Sequence, residues 1–173
     1  MLDSLRPAAY AAQLAKLVSY YNAPMTTPKQ NAKILIAEDN PQGVELLEAF
    51  LSDMPYEVRS ARDGEATLQL VQEWKPDLLL LDIMMPKLSG FEVCKRLRQD
   101  PATRDLPVIM VTALDQPSDV ERAVEAGTSD FLTKPIHKME LRLRIEAMLA
   151  SRHGQGELGE TIDYIQAVQR GKP

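Results

Sequence analysis

The chain has 173 residues, 45% hydrophobic and 26% charged, with a formal net charge of −5, and this suits a single globular domain with a full core. Its apolar runs, such as Leu78–Leu81, are far too short to span a membrane, no signal peptide opens it, and its single cysteine, Cys94, allows no internal disulfide. The charge is uneven: residues 33–150 hold 14 basic and 21 acidic side chains, a net of −7, which argues against nucleic-acid binding by this chain alone and, with the rest, points to a cytoplasmic protein with no membrane association.

In chain order, residues 1–23 read as a separate amphipathic helix. Pro7 suits a first turn, and Tyr10, Leu14, Leu17, Val18 and Tyr21 share one face. Pro24 stops it, and residues 25–32 read as a polar linker, so 1–32 form an accessory segment ahead of a domain at 33–150. From Ile34 the pattern alternates short apolar runs with amphipathic helices. A buried strand at 34–37 precedes a helix opened by Asn40-Pro41, with Val44, Leu47, Phe50 and Leu51 on its face. Tyr56–Ala61 is a second strand, and Asp63-Gly64 leads into a helix carrying Ala66, Leu70 and Val71. Strand Leu78–Leu81, helix 89–98, strand 107–111, helix 118–126, strand 131–133 and helix 138–149 follow. Strands alternating with helices predict a parallel sheet with right-handed crossovers and helices on both faces. The tail, 151–173, is glycine-rich with an apolar set at Ile162, Ile165 and Val168, enough for one short helix.

In open α/β sheets, ligands gather beyond the carboxyl ends of the strands. Here the first strand ends in Glu38-Asp39, the third in Asp82, the fourth in Thr112 and the fifth in Lys134, whereas the second ends without chemistry near Ser60-Ala61. Two carboxylates about 5 Å apart repel by roughly 3 kcal/mol at an effective dielectric near 20, so three in one crevice call for cations. Lys134 supplies one charge, leaving −2, which one divalent cation neutralises. An all-oxygen donor set favours Mg²⁺ over zinc or copper. A carboxylate forms an acyl phosphate, so Asp82 is the candidate nucleophile, with Lys134 and the Thr112 hydroxyl for the phosphoryl oxygens.

Glu38-Asp39, Asp82 in LLLLDIMMPKLSG, Thr112 in VIMVTALD and Lys134-Pro135 in FLTKPI together resemble the receiver domains of two-component response regulators, the CheY-like superfamily. Gaps of 43, 30 and 22 residues separate Asp39, Asp82, Thr112 and Lys134, and five motifs in order at such gaps are specific. The similarity is strongest to receivers of cell-cycle diguanylate cyclases and of single-domain regulators. It implies a flavodoxin-like, doubly wound five-stranded sheet of order 2-1-3-4-5 with five helices, to which the N-terminal helix would be an addition. It implies that the backbone carbonyl of Met84 joins Glu38, Asp39 and Asp82 as a Mg²⁺ ligand, that Lys134-Pro135 is cis, and that Phe131 occupies the family's aromatic switch position. The implied partners are a histidine kinase or histidine phosphotransfer protein as donor and a downstream protein as target. The acid pair is Glu-Asp where Asp-Asp is commoner, and phenylalanine at 131 lacks the hydroxyl of tyrosine.

A haloacid-dehalogenase-type phosphatase uses similar groups but needs a second Asp two positions after the nucleophile, where this chain has Met84, which transfers no proton. A nucleotide-binding domain would need a glycine-rich loop after the first strand, and none is there. The expectation is therefore a signalling receiver that is no enzyme beyond its own phosphoryl transfer and dephosphorylation. The alternative is the receiver portion of a multidomain regulator with enzymatic output. Switching is expected on the face of the fourth helix, fifth strand and fifth helix of the domain, with Arg122, Lys138 and Arg142 as its reporters. Homodimerisation is one expected use of the N-terminal stripe, alongside docking on the domain itself or on another protein.

Overall fold

The computed structural model describes residues 31–113 and 117–151; the expected N-terminal helix and tail lie outside them. Five strands form one sheet: β1 (Ala32–Ala37), β2 (Tyr56–Ala61), β3 (Leu78–Leu81), β4 (Val108–Thr112) and β5 (Asp130–Thr133). All pairings are parallel and the order is β2-β1-β3-β4-β5, the flavodoxin-like arrangement expected. The helices are α1 (Pro41–Leu51), α2 (Gly64–Trp74), α3 (Gly90–Gln99), α4 (Pro117–Ala126) and α5 (Lys138–Ser151). No helix among the described residues is long and apolar enough to cross a membrane.

The strand side chains alternate between two cores, as the two-residue period of a strand requires. Leu35, Leu79, Leu81, Val108 and Met110 pack with Val71, Trp74, Phe91, Cys94, Leu97 and Ala123 from α2, α3 and α4. Ile34, Ile36, Leu78, Leu80, Ile109 and Val111 pack on the other face with Leu47, Leu51, Leu141 and Ile145 from α1 and α5. Leu78 to Leu81 are buried on both faces, which is why the sequence shows an unbroken run there. Each such leucine contributes about 1.5–3 kcal/mol of burial. Caps hold the helix starts facing the site. Asn40 accepts from the Gln42 N–H with Pro41 at the first turn, Asp63 accepts from the Ala66 N–H, and Ser89 and Glu92 form a reciprocal capping box.

Some strand limits differ from the sequence reading. β1 begins at Ala32, paired with Tyr56, and the Asn31 N–H donates to Pro55 O at 2.9 Å, so the pairing reaches into polar residues that looked like linker. β5 begins at Asp130, whose charge hid its strand role: it pairs with Ile109 and is 4% exposed because Arg144 grips its carboxylate at 2.7 and 2.8 Å.

Candidate functional site

Register places the chemistry. Ala37 pairs with Leu81, so Glu38-Asp39 and Asp82 leave adjacent strands at one level, and the Asp82 N–H donates to Ala37 O at 2.8 Å. On the other side Leu81 pairs with Met110, which brings Thr112 to the same crevice two residues on. The Lys134 N–H donates to Thr112 O at 2.8 Å, so β5 delivers the lysine alongside. Even β2, without chemistry of its own, takes part: Ala61 O accepts the Glu38 N–H at 3.0 Å.

Glu38, Asp39 and Asp82 each offer a carboxylate oxygen within 4.8 Å of the others. Glu38 and Asp82 are buried, whereas Asp39 is exposed. Lys134 Nζ lies 2.6 Å from Glu38 Oε2 and 3.5 Å from Asp82 Oδ2, so the lysine is seated on the glutamate. Glu38 Oε1 meanwhile accepts the Asn40 N–H at 3.1 Å, leaving Glu38 engaged at both oxygens. Asp82 Oδ1 accepts the Met84 N–H at 3.4 Å. Burial first, and then the neighbouring Glu38 charge, push the Asp82 carboxyl up from its ordinary value against the pull of Lys134. For Lys134, burial acts to lower the pKa, but the bonds to Glu38 and Asp82 outweigh it and the net shift is upward.

Gly90, at the first turn of α3, explains how that helix comes so close. A Cβ there would sit 2.3 Å from Asp82 O and 2.8 Å from Ile83 Cα, so only glycine fits against the backbone of Asp82. Its N–H donates to Ile83 O at 2.9 Å, fastening the turn that follows Asp82. Thr112 is fully buried at the end of β4. Phe131 is half-buried against the core face holding its register partner Met110, and its N–H donates to Asp130 Oδ1 at 2.7 Å. Lys134-Pro135 is cis. Glu38, Asp39, Asp82 and Lys134 thus meet in one crevice, Thr112 ends the strand beside Asp82, and Phe131, expected at the switch position, packs against the core next to them.

Of the reporters expected on the α4–β5–α5 face, Arg142 pairs with Glu146 on its own helix at 3.0 Å, and the other two reach neighbouring elements. Arg122 stacks on the Phe91 ring of α3 at 4.3 Å, and Lys138 pairs with Asp53 after α1 at 2.9 Å. Helix rotation, set by packing, turned both toward neighbours the local sequence does not name. The network tying β5 to α5 is Asp130–Arg144–Glu140, which sequence reading missed. The signal available was Glu140 four residues ahead of Arg144.

A family model for the response regulator receiver domain matches residues 34–146. Response regulator PleD of Caulobacter vibrioides is 45% identical over 118 residues, covering 68% of this chain and 26% of that protein. The DNA-binding dual master transcriptional regulator RpaA of Synechocystis sp. is 38% identical over 152 residues, covering 81% of this chain and 63% of RpaA. The chain therefore spans less than two thirds of either relative. Among solved structures, the receiver domain of sensor histidine kinase PA1611 from Pseudomonas aeruginosa PAO1, with a magnesium ion coordinated in its active site cleft, is 30% identical with a TM-score of 0.66. It covers 70% of this chain and 99% of its own.

Proposed function

The chain belongs to the response regulator receiver domain family, and from that premise we propose that Asp82 accepts a phosphoryl group from the phosphohistidine of a histidine kinase or histidine phosphotransfer protein. The observation that carries the reading is the seat of Asp82: a buried carboxylate between an acid pair and a lysine, where adjacent parallel strands end. A carboxylate oxygen of Asp82 attacks phosphorus, the P–N bond to the donor imidazole breaks, and the imidazole keeps that electron pair.

The residues present fit Mg²⁺. Three carboxylate oxygens within 4.8 Å make a hard, all-oxygen donor set, and the buried pair of carboxylates carries more charge than Lys134 offsets. Glu38, Asp39, Asp82 and the backbone carbonyl of Met84 would hold it. When bound, the ion would supply the positive charge that this carboxylate cluster and a transferring phosphoryl group lack. Lys134 stabilises charge on a second phosphoryl oxygen, which requires it to loosen its hold on Glu38. The Thr112 hydroxyl takes a third, and its movement opens space for Phe131, carrying the change to the α4–β5–α5 surface. A downstream protein that reads this surface is the target, and the chain catalyses no reaction beyond its own phosphorylation and dephosphorylation.

The test is mass spectrometry after incubation with acetyl phosphate or a phosphorylated kinase and Mg²⁺. Asp82→Asn removes the nucleophile and is expected to abolish the single added phosphoryl group, because an amide is not nucleophilic. Full labelling of Asp82→Asn places the acceptor elsewhere and defeats the reading.

A further inference from the structure

The segment between β3 and α3 carries Asp82 and Met84, and Met84 is 65% exposed, so its own side chain does not help to hold the segment in place. Its own bonds are short turns: the Met85 N–H donates to Ile83 O at 3.2 Å and the Leu88 N–H to Pro86 O at 2.9 Å. Polar ties to a neighbouring element run to the start of α2. Lys87 Nζ lies 2.9 Å from Asp63 Oδ2 and 3.6 Å from Glu65 Oε2, and the Gly64 N–H points at Pro86 O at 3.4 Å. Asp63 is a firm anchor, because its other oxygen caps α2 by accepting the Ala66 N–H at 2.8 Å.

Two backbone features make this docking specific. Lys87 has φ 68°, a left-handed conformation that disfavours a residue with a Cβ and suits glycine. A lysine held there is a strained choice that its side-chain contacts to α2 account for. Gly64 lies directly against the segment: a Cβ on it would meet Leu88 Cβ at 2.5 Å and Leu88 O at 2.6 Å. The first turn of α2 is therefore shaped to receive residues 86–88.

We propose that Lys87, Asp63 and Gly64 form a clip that positions the segment after Asp82 for cation binding, with Lys87 as a positioning residue for the Met84 carbonyl. The inference deepens the phosphoacceptor reading and rests on it. It also makes a prediction opposite in sign to simple electrostatics. Deleting a positive charge near an acidic cluster would, through charge alone, strengthen Mg²⁺ binding. Deleting the clip weakens it, because the segment must then be ordered when the ion binds.

The experiment is calorimetric titration of Mg²⁺ into the full chain and its Lys87→Met, Lys87→Gly, Lys87→Arg, Gly64→Ala and Asp39→Asn variants, with thermal unfolding of each in EDTA. Lys87→Met and Lys87→Gly are expected to raise the Kd about three- to tenfold, toward the low end for groups that orient metal ligands. Lys87→Arg keeps the ion pair and is expected within about twofold of the unaltered chain. Gly64→Ala is expected to raise the Kd about tenfold by displacing Leu88, although alanine is the better helix former. Lys87→Gly relieves the left-handed strain, so its unfolding temperature in EDTA holds or rises while Mg²⁺ binding weakens, a split that a merely structural role would not produce. Unchanged or tighter binding by Lys87→Met and Lys87→Gly, with Asp39→Asn still weakening it, overturns the clip and leaves the phosphoacceptor reading standing. No Mg²⁺ binding by the unaltered chain overturns both.

Discussion

Replacing Lys134 by methionine removes the positive charge seated between Glu38 and Asp82 while keeping an unbranched side chain. At an effective dielectric near 20, the contacts at 2.6 and 3.5 Å correspond to gross attractions of about 6 and 5 kcal/mol. Much of this is offset by taking the three charges out of water and by repulsion between the carboxylates. Glu38 is 2% exposed and Asp82 6%, so neither can recover hydration when the lysine is lost. Breaking a buried pair from one side costs about 3–5 kcal/mol, and the partial exposure of Lys134 places this one near 3. For a domain of this size that lowers the unfolding temperature by about 10 °C. Mg²⁺ supplies the missing charge to the same carboxylates, so saturating Mg²⁺ stabilises the Lys134→Met variant more than the unaltered chain. Circular dichroism melts of both proteins in EDTA and in Mg²⁺ measure each quantity. A drop in EDTA of less than about 1 kcal/mol, or an equal Mg²⁺ effect on both proteins, would refute the view that Lys134 compensates this cluster.

Arg144→Met leaves Asp130 buried with a charge, and urea unfolding is expected to show a loss of about 3 kcal/mol or more; a loss below about 1 kcal/mol would show the pair to be dispensable. The Tyr56 hydroxyl is buried without a hydrogen-bond partner among the described residues, and burial pushes its pKa up to about 12, so Tyr56→Phe is expected to be neutral or stabilising, and a loss above about 1 kcal/mol contradicts this. A fragment spanning 31–151 retains both cores and every strand pairing described, so it is expected to unfold cooperatively and to accept phosphate from acetyl phosphate. Starting it at residue 31 keeps the Asn31 bond to Pro55. An unfolded fragment would make the N-terminal segment part of the fold.

The strand runs and the polar residues after them were legible because both are local. A strand buried on two faces needs an unbroken apolar run such as Leu78 to Leu81, and a parallel sheet sends every strand's carboxyl end to one edge. Glu38, Asp39, Asp82, Thr112 and Lys134 could therefore be assigned to one crevice before any distance was known. Asp130 and Ala32 were missed as strand residues because their partners, Arg144 and Tyr56, lie 14 and 24 residues away.

By itself, then, the sequence determined the alternation of strands and helices, the residues at the strand ends and, through their order and gaps, the family. Only the tertiary structure decided that Lys134 rests closer to Glu38 than to Asp82, that Arg122 turns to Phe91, and that Lys87 reaches Asp63. Each of these depends on how far a long side chain extends and how a helix is rotated about its axis. Packing between elements distant in sequence sets both, and neither leaves a periodic trace along the chain.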